Sequence, residues 1–297
     1  MTTTRQFWML SILFLSALPS EALEISGFAP DRTITYKQVG NTKLDLHVFM
    51  PPNHAASDKR PAIVFFFGGG WSGGSPSQFY PHCKYLASRG MVAMSAEYRV
   101  KTRHGTSPRE CVQDGKSAVR WIRQHANELG IDATKVAAGG GSAGGHVAAA
   151  TGTVKGLNEK GDHLNTSCRP DALVLFNPVF DNGPEGWGHA RVKTYWRDIS
   201  PMHNIHQKTP PTIVFLGTKD KLIPTTTAEE YRKRMADKGR RCDLFLYEDQ
   251  GHGFFNFKNT EYYTRTVIQA DLFLASLGFL KGNPTIQMPL KADKQKR

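Results

Sequence analysis

One serine in this sequence is surrounded by residues that have almost no side chain. The segment "GGSAG", residues 140–144, fits the pattern G-x-S-x-G with Ser142 at its centre. Glycine at this density costs conformational entropy on folding, so a local requirement must select it. In a strand-to-helix turn, such glycines let the backbone approach closely and leave the serine hydroxyl exposed as a nucleophile. The alternative is a glycine-rich turn that carries an incidental serine.

A serine hydroxyl is a poor nucleophile at neutral pH, so this interpretation requires a base and an acid that orients the base. Both occur after later apolar runs: Asp220 follows "PTIVFLGTK", and His252 follows "CDLFLYEDQG". The order serine, acid, histidine is the one expected when each residue follows its own strand. His252 is therefore the predicted general base and Asp220 its partner. Three other acids near predicted strand ends are alternatives to Asp220, namely Asp181, Glu248 and Asp249.

Acyl transfer also needs peptide N–H groups that stabilise a developing oxyanion. The amide of Ala143, at the start of the helix after Ser142, is one candidate. The segment "FFFGGGW" provides two more, the amides of Gly69 and Gly70, which no side chain obstructs. We predict that these three amides face the same point, whereas the alternative is a purely structural glycine turn.

The elements that must position these residues alternate along the chain. Apolar runs at "PAIVFFFGGG", "MVAMSAEYRV", "KVAAGG", "DALVLFNP", "PTIVFLGT" and "CDLFLYED" predict strands. Helical segments are predicted around residues 79–88, from Ser107 and Pro108 onward, after Ser142, and around residues 226–238 and 262–277. This alternation predicts an α/β fold with a mostly parallel sheet covered on both faces. The runs "TITYKQVG" and "KLDLHVFMPP" predict two antiparallel strands that extend one edge.

The N-terminus has the features of a secretory signal peptide. Arg5 precedes an apolar stretch at residues 7–19, and the small residues Ser20 and Ala22 allow cleavage after Ala22. The stretch is shorter than the roughly 20 apolar residues that a membrane-spanning helix needs, so we expect no stable membrane insertion. The prediction is a leader at residues 1–22, a catalytic domain at residues 23–284, and a secreted or periplasmic protein.

The whole chain of 297 residues is basic, with a formal net charge of +12. Its basic residues are scattered except in the tail, residues 285–297, and no nucleic-acid motif accompanies them, so nucleic-acid binding is not expected. A basic surface could instead attract an acidic polymer. Four cysteines would meet an oxidising environment after export and allow three pairings, although small buried thiols with at most one disulfide are favoured. These cysteines are Cys83, Cys111, Cys168 and Cys242.

The segments "FFFGGGW", "AEYRV", "GGGSAGGHVAA", "GTKDKLIP" and "DQGHGF", spaced as they are here, resemble the α/β-hydrolase esterases of the hormone-sensitive-lipase-like and feruloyl or acetyl esterase group. The resemblance covers roughly residues 32–280 and implies the α/β-hydrolase fold. It also implies Ser142 as nucleophile, His252 as base, Asp220 as its partner, and Gly69, Gly70 and Ala143 as oxyanion donors. One departure is Phe67, which stands where these esterases often have histidine.

Together, these features predict a serine carboxylesterase that acts on short acyl esters, with acetyl or feruloyl esters of polysaccharide as candidate substrates. A long loop rich in glycine and aromatic residues, residues 180–204, is predicted after a central strand, where loops line the mouth of a site. Three tryptophans, Trp187 and Trp196 in this loop and Trp71 beside the glycine segment, could stack on a sugar or an aromatic acid, although aromatic residues more often pack a loop. No cofactor and no metal are expected, since the histidines and acids show no short-spaced ligand cluster. The alternatives are a serine peptidase of the prolyl-oligopeptidase kind and a non-catalytic binding module with a hydrolase fold.

Overall fold

A computed structural model of the protein describes residues 27–289. The predicted signal peptide, residues 1–22, lies outside the described residues, and so does most of the predicted basic tail, from residue 290 onward. The boundaries proposed for these segments therefore stay predictions. Within the described part of the chain, no helix is both long and apolar enough to cross a membrane.

The described residues form one eight-stranded sheet. The strands are β1 (Arg32–Val39), β2 (Thr42–Phe49), β3 (Arg60–Phe66), β4 (Val92–Ala96), β5 (Ile131–Gly141), β6 (Ala172–Phe176), β7 (Thr212–Gly217) and β8 (Cys242–Tyr247). Their order in the sheet is β1-β2-β4-β3-β5-β6-β7-β8. Only the pairs β1–β2 and β2–β4 are antiparallel, so the other strands form a parallel sheet. The α/β fold and its antiparallel edge are confirmed.

Helices cover the sheet, and the five longer ones are close to the predicted positions. They are α1 (Tyr80–Ser88), α2 (Pro108–Gln124), α3 (Ala143–Thr153), α4 (Thr225–Asp237) and α5 (Thr260–Ser276). The start of α2 was predictable because Ser107 caps the helix, Pro108 occupies its first turn, and Glu110 completes a capping box by accepting from the Ser107 N–H at 2.8 Å. The last helix, α5, begins two residues earlier than predicted, at Thr260.

Two predicted segments differ in detail. The fourth strand ends at Ala96, earlier than its apolar run, and a short helix, Lys101–His104, follows it. The long segment after β6, residues 180–204, is not an irregular loop throughout. It contains the helical turns His189–Val192 and Trp196–Ile199 and the 3-10 turn Pro201–Asn204. Short turns of this kind have no sustained apolar period, so a pattern search cannot detect them.

The core lies on both faces of the sheet. Along β3, Ala62, Val64 and Phe66 belong to one apolar cluster, while Ile63 and Phe65 belong to the cluster on the other face. This division follows the two-residue period of a strand, and it explains why the central strands are continuous apolar runs.

All four cysteines are free thiols. Cys83 and Cys111 are buried, whereas Cys168 and Cys242 are partly exposed. Although Cys242 is partly exposed as a residue, desolvation of its sulfur raises the pKa of its thiol to about 12. The expectation of small buried thiols therefore holds for two of the four, and no disulfide joins the described residues.

Candidate active site

Ser142 occupies a strained turn at the carboxyl edge of the sheet. It lies between the end of β5 at Gly141 and the start of α3 at Ala143, with φ 54° and ψ −122°. Positive φ is uncommon for a residue other than glycine and marks stored backbone strain. The backbone holds this turn: the Ser142 N–H donates to the Phe176 carbonyl at 3.0 Å, and its carbonyl accepts from the His146 N–H at 3.0 Å.

The glycines around Ser142 are required by close backbone contacts. A Cβ atom at Gly144 would lie 2.0 Å from the carbonyl oxygen of Phe66, and one at Gly140 would lie 2.5 Å from the carbonyl oxygen of Gly144. Both distances are far below van der Waals contact. Any larger residue would therefore push α3 away from the sheet, and the turn that presents the Ser142 hydroxyl would open.

The structure brings Ser142, His252 and Asp220 together from three distant segments. The Ser142 Oγ lies 2.9 Å from His252 Nε2, and His252 Nδ1 lies 2.7 Å from Asp220 Oδ2. The Asp220 side chain is fully buried, and its second oxygen accepts from the N–H groups of Leu222 and Ile223. These bonds hold the carboxylate in one orientation beneath the imidazole.

Two of the three alternative acids, Asp249 and Asp181, have other partners. Asp249 pairs with Lys219 at 2.8 Å on the surface, and the carboxylate of Asp181 accepts from the Gly183 N–H at 2.6 Å. In the described part of the chain, no hydrogen bond joins Asp181, Glu248 or Asp249 to His252. Of the candidates that the sequence offered, the geometry thus selects Asp220.

The glycine segment after β3 reaches the same cavity as Ser142. Gly69 and Gly70 line that cavity at φ 122° and 61°, in the left-handed region that glycine adopts without strain. Among residues 27–289, nothing accepts a hydrogen bond from the N–H groups of Gly69, Gly70 or Ala143. The Gly68 N–H, in contrast, donates to Gln78 Oε1 at 2.6 Å. The three predicted amides thus have no competing acceptor, and two of them, those of Gly69 and Gly70, belong to residues that line the cavity.

Phe67 anchors the glycine segment by packing. Its buried ring stacks on the Tyr98 ring with centroids 4.2 Å apart, and the Tyr98 hydroxyl donates to the Phe67 carbonyl at 2.6 Å. The aromatic pair therefore supplies a fixed point beside Gly68, although Phe67 has no polar side-chain group to hold the loop.

The three predicted tryptophans have different positions. Trp187 lines the cavity beside Ser142. Trp71 is only 2% exposed and lies behind the cavity wall, with its ring centroid 5.1 Å from that of Trp187. Trp196 packs against His203 at 4.9 Å and is not among the residues that line the cavity. Only Trp187 is thus placed to contact a bound molecule, with Trp71 as its support.

Sequence reasoning missed three amide side chains in the site. Asn177 Nδ2 lies 3.3 Å from His252 Nε2, while its Oδ1 accepts from the Gly253 N–H at 3.3 Å. Gln78 donates to Asn256 Oδ1 at 2.9 Å and so ties the glycine segment to the histidine loop. The position of Asn177 could have indicated its place in the site, because it directly follows β6 as the other site residues follow their strands. No feature of the sequence points to Gln78 or Asn256.

The cavity at Ser142 is small and carries no charged wall. Its volume is about 350 Å³, and its apolar wall consists of Trp187, Leu222 and Phe255. No Asp, Glu, Lys or Arg of the described chain is among its lining residues. Within residues 27–289, no group of His, Cys, Asp and Glu side chains is arranged to hold a metal ion. The arrangement suits a neutral substrate with a short apolar part.

Two further histidines of the eleven belong to the core. His82 lies among Phe79, Phe176 and Tyr263, and burial lowers its pKa to about 3. Burial likewise lowers the pKa of His146 to about 4. Both rings are therefore neutral at physiological pH and act as packing groups, whereas His252 is partly exposed at the cavity.

Comparison with known proteins identifies hydrolase and esterase relatives of this chain. The family model BD-FAE matches residues 46–181, and the dienelactone hydrolase family model matches residues 188–280. Esterase LipC of Mycobacterium tuberculosis is 29% identical over 65% of this chain and 53% of its own length. An acetylxylan esterase of Xylanibacter ruminicola is 26% identical over 71% of this chain and 44% of its own length. The chain thus spans about half the length of these curated relatives.

Solved structures match over more of their length. Esterase 2 of Thermogutta terrifontis, in a form phosphoramylated by tabun, superimposes with a TM-score of 0.82 and is 45% identical. That match covers 85% of this chain and 96% of the other. The propionate-bound form of the same esterase is 43% identical, with a TM-score of 0.82, over 86% and 97% of the two chains. The chain therefore belongs to the α/β-hydrolase esterases of the hormone-sensitive-lipase-like and feruloyl or acetyl esterase group.

Proposed function

We propose that this protein hydrolyses short-chain carboxylic esters through an acyl-enzyme. Ser142 Oγ attacks the ester carbonyl while His252 Nε2 takes its proton, and the imidazolium then protonates the leaving alcohol. Water then enters and attacks the acyl carbon while His252 takes its proton; the bond to Ser142 Oγ breaks, the imidazolium returns the proton to that oxygen, and the acid leaves. Asp220 holds the imidazole tautomer and stabilises the imidazolium, while the N–H groups of Gly69, Gly70 and Ala143 stabilise the oxyanion.

One observation carries this proposal: the unbroken chain of contacts from Ser142 Oγ through His252 to the buried carboxylate of Asp220, at 2.9 and 2.7 Å. The Ser142 proton can pass to His252 Nε2 without any rearrangement of the backbone, while the Asp220 carboxylate stays ionised and stabilises the imidazolium. The strained turn at Ser142 supports the same role, since strain that a fold retains is commonly linked to function.

The size and polarity of the cavity favour a short, uncharged acyl group. Trp187, Leu222 and Phe255 provide apolar contact, and the volume of about 350 Å³ is at the small end for ligand sites. Structures of the Thermogutta terrifontis esterase with propionate and with butyrate support the same acyl class. The acetylxylan esterase among the relatives supports acetyl groups on a polysaccharide as the natural ester.

The decisive experiment compares the protein with its Ser142→Ala variant. We expect loss of p-nitrophenyl butyrate hydrolysis with an unchanged melting temperature, because the hydroxyl makes no contact that the fold needs. The matched control is Ser88→Ala, which removes a surface hydroxyl that donates to the Tyr85 carbonyl. Paraoxon should add one diethylphosphoryl group to Ser142 in the unmodified protein and none in Ser142→Ala. Full activity of Ser142→Ala would refute the proposal.

Substrate class is tested by rates across matched compounds. We expect kcat/KM to fall from acetyl and butyryl to octanoyl esters, since the cavity leaves no room for a long chain. A feruloyl ester tests whether Trp187 accepts an aromatic acid. An anilide of butyric acid separates the esterase from the peptidase alternative, and faster turnover of the anilide than of the ester would favour the peptidase.

We also propose export of the mature protein. The apolar stretch at residues 7–19 after Arg5, with Ser20 and Ala22 before the cut, supports a cleaved leader. N-terminal sequencing of protein recovered outside the cytoplasm should begin at Leu23. Recovery of protein that still begins at Met1 from the membrane fraction would contradict this proposal.

A further inference from the structure

A second cavity lies at the opposite edge of the sheet from Ser142. Its volume is about 770 Å³, roughly twice that of the cavity at the serine. Its walls come from the end of α3, from the segments that lead into β6 and β7, and from the residue after α4. Parallel strands begin at this edge, whereas Ser142 lies where they end. A molecule bound here would leave the serine accessible.

Six Lys and Arg side chains line the cavity, and one of them, Arg120 of α2, is neutralised by an ion pair with Asp162 at 2.7 Å. Lys155, Arg169, Lys208 and Lys238 line it, and each is exposed. No Asp or Glu of the described chain is among its lining residues, and none of these four cations forms an ion pair with a described residue. His206, also in the wall, has a lowered pKa because of burial and the positive charges around it. The cavity therefore has a positive potential that the described chain does not neutralise.

The innermost basic group of the cavity is nearly buried. Lys116 is only 1% exposed, and its Nζ donates to the Val154 carbonyl at 2.7 Å and to the Gly156 carbonyl. An ammonium group has three N–H donors, so one remains without an acceptor among residues 27–289. Burial lowers the pKa of this ammonium to about 8, so a bound anion would stabilise its charged form. The pKa adds to the geometric argument for an anionic ligand.

The four exposed cations come from four separate segments of the chain. A site for one small oxyanion would bring its donors to a single point, often with bidentate Arg contacts. Here the charges are distributed around a wide opening, which suits a ligand that carries several anionic groups. No Phe, Tyr or Trp is among the lining residues, so single-stranded nucleic acid would find no surface on which to stack its bases.

We propose that this cavity binds an acidic polysaccharide, a chain of sugars that bears carboxylate or sulfate groups at intervals. Lys155, Arg169 and Lys208 pair with successive anionic groups, and Lys116 contacts one that enters the cavity. Such binding would hold the protein on an acidic polymer while the uncharged cavity at Ser142 stays open. The inference goes beyond ester hydrolysis and does not rest on it, because no residue is shared between the two cavities.

The test measures binding of polygalacturonate, which carries carboxylates, and of heparin, which carries sulfates. The variant Lys155→Gln/Arg169→Gln/Lys208→Gln should lose about tenfold or more in affinity for at least one polymer, as expected for three weak charge pairs. The matched control Lys43→Gln/Lys59→Gln/Lys84→Gln removes the same charge from other exposed positions and should bind like the unmodified protein. Binding should weaken as ionic strength rises, and dextran, a neutral polymer, should not bind.

Other results would overturn the inference. Equal losses in the two triple variants would mean that net charge alone attracts the polymer, and no loss in either would place binding elsewhere. Binding of inorganic phosphate without either polymer would indicate a small-anion site, and binding of single-stranded DNA without either polymer would indicate a nucleic-acid site. If the first triple variant fails to fold, Lys155→Gln and Lys208→Gln are tested singly, since both side chains are exposed. The Ser142→Ala variant should bind polymer normally, which separates this test from that of the esterase.

Discussion

At the scale of single residues, the proposed reactivity of Ser142 depends on a carboxylate that water cannot reach. The Asp220 side chain is fully buried, and its second oxygen is occupied by backbone N–H groups. Its charge is thus directed at His252 Nδ1. That contact sets the tautomer in which Nε2 can accept the proton of Ser142.

Replacing this carboxylate by an amide tests the role of Asp220. We expect Asp220→Asn to lower kcat by up to about 10⁴-fold, since an amide can favour the tautomer in which Nε2 carries the proton. The matched control is Asp249→Asn, which breaks only the surface pair with Lys219 and should retain nearly full activity. Steady-state kinetics with p-nitrophenyl butyrate decides, and equal effects of the two variants would contradict the assignment.

Asn177 is a positioning residue, because it connects His252 to the backbone at Gly253. We expect Asn177→Gly to lower kcat between about tenfold and 100-fold with little change in KM, since the imidazole would lose one of its supports. Glycine is chosen because Asn177 has a positive φ of 33°. The control is Asn204→Gly, in the 3-10 turn Pro201–Asn204. An unchanged kcat, or a KM effect alone, would remove Asn177 from this role.

At the scale of elements, the junction of β5 and α3 determines whether the site forms. A methyl group at Gly144 would lie 2.0 Å from the Phe66 carbonyl, whereas one at Gly73 would meet only Thr102 Oγ1 at 4.0 Å. We expect Gly144→Ala to lower the free energy of unfolding by about 1–3 kcal/mol or more and to abolish activity. Gly73→Ala should leave stability nearly unchanged. Chemical denaturation measures the free energy of unfolding of both variants, and equal values would contradict the claim that the junction leaves no space for a methyl group at residue 144.

The N-terminal cap of α2 allows the contribution of one helix end to stability to be measured by a single substitution. Ser107→Ala removes the oxygen that accepts from the backbone and leaves Pro108 in the first turn. We expect a loss of about 1 kcal/mol in the free energy of unfolding, with kcat unchanged, because Ser107 is not among the residues that line the cavity at Ser142. Urea denaturation checks the first value and p-nitrophenyl butyrate hydrolysis the second. A large loss of activity would show that α2 and the site are coupled.

At the scale of the whole molecule, buried charges join four distant parts of the chain. Asp114 on α2 is fully buried and pairs with Lys37 of β1 at 2.6 Å and with Arg99 after β4 at 2.7 Å. Glu159, in the segment before β6, pairs with the same two cations. The edge strand, the helix layer and a loop are thereby linked. Removing one member would leave an uncompensated charge, which is strongly destabilising.

This cluster makes stability depend on pH in a defined direction. Burial alone would raise the pKa of Glu159, but its bonds to Lys37 and its attraction to Arg99 outweigh burial and hold that pKa below its usual value. The resulting stabilisation is present above the usual pKa of glutamate and is lost as pH falls through the lower, folded-state value. We expect Glu159→Gln to flatten the acid limb of a plot of melting temperature against pH. Glu229→Gln, at an exposed position, should leave it unchanged.

The sequence by itself determined the fold class and four of the segments that meet at Ser142. Buried strands are continuous apolar runs, and a residue that follows each run must lie at the carboxyl edge of a parallel sheet. Ser142, Asp220, His252 and the glycines at 69 and 70 were therefore predictable from position alone. The sequence also indicated that the turn at Ser142 requires glycine, although it did not show which atoms leave no room for a side chain there.

Only the tertiary structure decided which side chains touch. The choice of Asp220 over Asp181, Glu248 and Asp249 depends on distances to His252, because all four acids lie near strand ends. The support from Gln78 and Asn256, the burial of Trp71, and the basic cavity at the far edge also depend on packing between segments that are remote in sequence. A local pattern reports the period of a strand or a helix, whereas contacts between segments arise only when the sheet order places them side by side.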